Sequence, residues 1–70
     1  MITYKPLWHT LIEKNKKKMD LIGTGISRGT LAKLGKNEPV NLKVIDGICS
    51  MLDCSIKDVI EYVPEPEQKN

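Results

Sequence analysis

Gly25-Ile26-Ser27-Arg28-Gly29-Thr30-Leu31-Ala32-Lys33-Leu34 is the stretch on which the reading of this chain turns. Glycine at 25 can take the left-handed backbone of a tight turn. Ser27 is an N-cap whose hydroxyl can serve the orphan N–H groups of a first helical turn. Ile26, Leu31 and Leu34 then form an apolar seam, which leaves Arg28, Thr30 and Lys33 facing outward. A short helix that stands clear of a small domain and carries Arg, Thr and Lys suits the major groove of DNA. Bidentate donors can read base edges there, while backbone phosphates hold the register.

Upstream, Met19, Leu21 and Ile22 predict a short second helix with Asp20 in its first turn, closed by Gly23 and Gly25. Before it, Pro6 suits a first helical turn, and Leu7, Trp8, Leu11 and Ile12 predict one apolar stripe on a helix ending near Asn15. Trp8 reads as core and His9 as a solvated surface residue. The intervening Lys14-Asn15-Lys16-Lys17-Lys18 breaks the apolar pattern and reads as a linker. Its lysines, beside a helix start, are placed for phosphate contact.

Downstream, Leu34-Gly35 predicts the stop of the third helix. Asn41 caps a fourth, with Leu42, Ile45, Ile48, Cys49 and Leu52 at the strongest helical spacing in the chain and Val44 and Met51 flanking it. Ser55 opens a fifth, with Asp58 three residues on as in a capping box, burying Ile56, Val59, Ile60 and the more distal Val63. The expected fold is therefore all-α, with five short helices. No strand alternation competes, apart from a brief pairing open to Tyr62-Val63 against Ile2-Thr3-Tyr4. Residues 1–63 read as one domain and 64–70, punctuated by Pro64 and Pro66, as a polar tail.

Seventy residues, 40% hydrophobic and 29% charged, describe one small globular unit rather than a disordered segment. The net charge of +2 conceals an asymmetry. Residues 1–36 hold eight cationic side chains against Glu13 and Asp20, for +6, and residues 37–70 come to −4. The basic half carries the groove-suited helix, as phosphate binding requires.

Cys49 and Cys54 are too few for a zinc site and His9 is distant, so no metal and no cofactor is expected. The pair reads as two small buried thiols, the alternative being a disulfide or redox switch. Without an apolar run of spanning length or a signal-peptide layout, a cytoplasmic location without membrane contact is expected. There is no nucleophile–base pair, carboxylate dyad or phosphate-cradling glycine loop, which points away from catalysis.

Taken together, Thr24-Gly25-Ile26-Ser27, the seam Leu31 to Leu34, Lys36-Asn37-Glu38-Pro39-Val40, the Leu42-to-Cys54 pattern and Ile56-x-x-Val59-Ile60 resemble the Cro/XRE-type, lambda-repressor-like helix-turn-helix regulators over residues 5–63. The resemblance implies that helices two and three form the helix-turn-helix. It places Ser27, Arg28, Gly29 and Thr30 at the groove with Lys33 one turn on, Arg28 reading a guanine. Lys36 and Asn37, with Lys17 and Lys18, would contact the DNA backbone. The chain departs from the family in the short Ile22-Gly23-Thr24 segment and in Gly29, where a base-reading side chain is usual. Modest specificity, or reliance on DNA shape, is therefore expected. The implied partner is double-stranded DNA bound by a homodimer, with Tyr62 and Val63 as candidate dimer contacts and an external protein partner as a further means of control. The competing function is a helical protein-interaction module that keeps the fold without specific DNA binding.

Overall fold

The computed structural model of the chain describes residues 1–22 and 25–64. Strand β1 (Ile2–Thr3) leads into helix α1 (Lys5–Glu13). A single 3₁₀ turn (Lys18–Leu21) precedes helix α2 (Arg28–Gly35). Helix α3 (Leu42–Leu52) is followed by a second 3₁₀ turn (Ile56–Asp58) and strand β2 (Glu61–Tyr62). The strands pair antiparallel, Ile2 opposite Tyr62 and Thr3 opposite Glu61, and so tie the two ends of the domain together.

The described residues thus hold three α-helices and two short strands, not five helices. The expected second helix shrinks to a 3₁₀ turn because Leu21 alone in it is buried, while Met19 is 56% exposed. One anchor cannot offset the cost of nucleating a helix. Beyond it Ile22 is extended, bridges to Ile26, and gives way to Gly25 at φ +92°. The assignment of a helix-ending role to Gly23 falls outside the described residues. The fifth helix shrinks for the same reason: Val59 is buried and Ile60 half-buried, but Ile56 is 53% exposed.

Both 3₁₀ turns are held by carboxylates. Asp20 accepts from the Lys17 N–H at 2.8 Å, and Asp58 accepts from the Ser55 N–H at 3.1 Å, the latter as the Ser55/Asp58 spacing predicts.

Among the described residues, ten apolar side chains form the core: Tyr4, Leu7, Leu11, Leu21, Ile26, Leu34, Ile45, Ile48, Leu52 and Val59. In α1 the buried face runs through Leu7, Thr10 and Leu11, so Ile12, expected inside, is 72% exposed. Thr10 can be buried because its hydroxyl donates to the Asp58 carbonyl at 2.7 Å. Leu42 begins α3 on the correct face but beyond its packing partners. It is 73% exposed, at the rim of an apolar groove lined by Met1, Ile2, Val40 and Ile60. Cys49 and Cys54, expected to be buried, are half-buried and unbonded to each other by disulfide.

All three α-helices close alike, on a left-handed residue that is not glycine. Asn15, Asn37 and Asp53 take left-handed φ values of 57°, 58° and 53°. The next N–H then returns to a carbonyl five residues back: Lys16 to Leu11, Glu38 to Lys33, Cys54 to Cys49. Short polar side chains tolerate this conformation, which satisfies otherwise orphaned carbonyls. Gly35, expected to stop the third helix, is instead its last residue, and Asn37 makes the turn.

Candidate nucleic-acid interface

Helix α2 is attached to the body of the protein by few side chains. Leu34 is its one fully buried residue, Leu31 is half-buried, and Ile26 anchors the chain just ahead of it. The opposite face is therefore open, and Arg28, Gly29, Lys33 and Lys36 are exposed on or just beyond it. Spacing by four places Gly29 and Lys33 on one side, Arg28 one residue round. No further hydrogen bond or ion pair engages the side chains of Arg28, Lys33 or Lys36 within the described residues.

The start of α2 is built as the sequence predicts. The Ser27 hydroxyl accepts from the Thr30 N–H at 3.2 Å and donates to the Thr30 Oγ1 at 3.2 Å. That leaves the Thr30 hydroxyl hydrogen available and its half-buried side chain fixed in place. The first turn contains no acidic residue, and Arg28 sits at the positive end of the helix dipole. Two like contributions at one helix end, with the first-turn N–H groups of Arg28 and Gly29 alongside, favour an anion there.

Gly29 has ample room. A methyl group added at its Cα would meet only the Ser27 Oγ, at 3.8 Å, an ordinary contact. Gly29→Ala is therefore expected to raise stability by about 0.5–1 kcal/mol, since glycine in an exposed helix costs that much in backbone entropy. The melting temperature, followed by circular dichroism, should rise by a few degrees. An unchanged or lower value would mean that the backbone at this position is under a constraint that alanine cannot meet.

The loop after α2 is held from the N-terminal side by a residue that the sequence reading passed over. The Tyr4 N–H donates to Asn37 Oδ1 at 3.0 Å, and the Tyr4 hydroxyl donates to the Glu38 carbonyl at 2.7 Å. Asn37, a candidate backbone contact, thus spends its side-chain oxygen on Tyr4 and keeps only its Nδ2 donors. Tyr4, the N-cap of α1, lies three residues before Leu7 in line with the buried face of that helix, a spacing that hints at its burial but not at its partners.

Lys17 and Lys18 lie at the first 3₁₀ turn, both exposed. The Lys18 ammonium sits 4.6 Å from the centre of the Trp8 ring, a cation–π contact that orients it. Trp8 itself is half-buried against the core.

A leucine-anchored turn, a glycine bend and a capped helix presenting cations form a helix-turn-helix in outline. The family model of the Cro/C1-type helix-turn-helix DNA-binding domain matches residues 6–65. The chain belongs to that family. A solved structure, that of the transcriptional regulator VanUg, is 46% identical. It covers 91% of this chain and 87% of its own, with a TM-score of 0.85. No curated protein matches the chain. In this Cro/C1-type domain the segment between α1 and α2 holds one 3₁₀ turn, Lys18–Leu21, anchored by Leu21. No helix among the described residues is long and apolar enough to cross a membrane.

Proposed function

We propose that this protein is a sequence-specific DNA-binding transcriptional regulator, a repressor that acts by occupying operator DNA. Residues 1–63 are the DNA-binding unit, and α2 enters the major groove from its Ser27 end. The observation that carries this reading is the open face of α2, with Arg28 unengaged at a helix start that lacks any carboxylate and Lys33 unengaged in the last turn. Arg28 reads a base, Lys33 a base or phosphate, and Ser27 and Thr30 hold the helix terminus to the backbone. Gly29 lets DNA approach the helix closely. Lys17, Lys18, Lys36 and the Asn37 amide contact phosphates. VanUg, similar along most of both chains, is described as a transcriptional regulator, which supports the same role here. One module of this size makes few contacts, so two copies on half-sites about one helical turn apart are the expected arrangement. Exposed Tyr62 and Val63 are offered for their contact.

The test is fluorescence anisotropy of labelled duplexes, one from upstream of the protein's own gene and one scrambled, titrated across salt. Each neutralised phosphate should contribute about −0.9 to the slope of log affinity against log salt, so a slope of several is expected together with preference for the upstream duplex. Absence of binding at low salt would overturn the proposal and favour a protein partner for the same face.

A further inference from the structure

We propose that Cys49 and Cys54 are a modification site, a dithiol that closes reversibly into an intramolecular disulfide across the end of α3. The turn that ends α3 is what places them. Asp53 is left-handed, and the Cys54 N–H returns to the Cys49 carbonyl at 3.1 Å. A helix ending of this kind brings the side chains of those two residues together, ordinarily in an apolar contact. At the end of α1 the corresponding pair is Leu11 and Lys16, and at the end of α2 it is Lys33 and Glu38. In α3 both positions are cysteines, and both pack against the core. A second observation is access: both are half-buried, packed on the core from one side and open on the other, and both are free.

The oxidant required is a small-molecule disulfide such as oxidised glutathione. One cysteine thiolate attacks a sulfur of that disulfide, forming a mixed disulfide and expelling one glutathione thiolate. The second cysteine, deprotonated, attacks the protein-side sulfur and expels the other glutathione thiolate. Two protein thiols are oxidised, one small disulfide is reduced to two thiols, and the two protons pass to the departing thiolates. Burial holds the Cys54 thiol above its ordinary pKa; neighbouring Cys49 and the Asp58 carboxylate add to this, and Lys14 opposes it. Thiolate supply, and with it the rate of closure, rises with pH.

The experiment treats the full reduced chain with oxidised glutathione, quenches in acid and reads intact mass and thiol count. The expected product has lost two hydrogens and both thiols together, is monomeric on a non-reducing gel, and returns to the dithiol with dithiothreitol. Cys49→Ser and Cys54→Ser should instead stop at a glutathione adduct. Because residues five apart can also meet in an unfolded chain, closure is timed in buffer and in urea, and the native chain should close about tenfold faster. Persistent adduct on the wild-type chain, a covalent dimer, or a native rate no faster than in urea would overturn the assignment.

Discussion

Arg28→Ala is expected to weaken binding to the preferred duplex by about 1–3 kcal/mol, roughly 5- to 150-fold, while leaving the protein as stable as before. The two halves of that expectation have separate physical sources. Arg28 is exposed, makes no ion pair within the described residues, and stands in a first turn with no carboxylate to balance it. Its removal deletes nothing from the core and relieves an unfavourable charge at the positive end of the helix dipole. The melting temperature should hold or rise slightly. On DNA, by contrast, a guanidinium paired to both acceptors of a guanine has no substitute in alanine. A cycle with 7-deazaguanine, which lacks one of those acceptors, identifies the base. The loss from the modified base should largely vanish in the Arg28→Ala protein. Lys17→Ala supplies the contrast: a smaller loss shared by upstream and scrambled duplexes, with the salt slope reduced by about one. If Arg28→Ala binds the upstream duplex as tightly as the parent, the base-reading role is lost.

The sequence was most legible where local chemistry and tertiary packing agree. Ser27 caps α2 and Asn41 caps α3 because those side chains satisfy nearby N–H groups whatever else the chain does. Ile45, Ile48 and Leu52 could be read as core from their spacing alone. The brief strand pairing at the termini was also open to view, one residue off in β2. Reading failed where one apolar residue had to stand for a helix. Leu21 and Val59 are each deeply buried, yet each anchors only a 3₁₀ turn or its end, because their neighbours Met19 and Ile56 point to solvent. It failed again at the helix ends, where glycine was the obvious candidate and asparagine and aspartate do the work. Thr10 and Tyr4 were missed since their burial depends on carbonyl partners 48 and 34 residues away, Asp58 and Glu38, which no local pattern shows. For the interface, the side chains were readable as a set. That Asn37 is tied to Tyr4 and Lys18 to Trp8 was not.

The complementary expectation concerns what holds α2 in place. Leu34→Ala should cost about 2–5 kcal/mol of stability, the range for truncating a fully buried leucine. Leu34 is completely buried and is the only side chain of the eight-residue helix that is. It belongs to the same buried core as Leu7, Leu21 and Ile48, so the cavity would open where α2 meets the rest of the domain. A domain of this size has on the order of 4–10 kcal/mol to lose from. The melting temperature should therefore fall by 10 °C or more, with about 4–8 °C lost per kcal/mol. Binding should weaken as well, but in a way that distinguishes this variant from Arg28→Ala. Loss of folded protein is reversed by mass action, so excess upstream duplex should raise the Leu34→Ala melting temperature while preference over the scrambled duplex survives. Arg28→Ala should show the inverse, with stability intact and preference gone. A Leu34→Ala cost below about 1 kcal/mol would mean that α2 is not held through this contact, and that its open face is not presented as the packing implies.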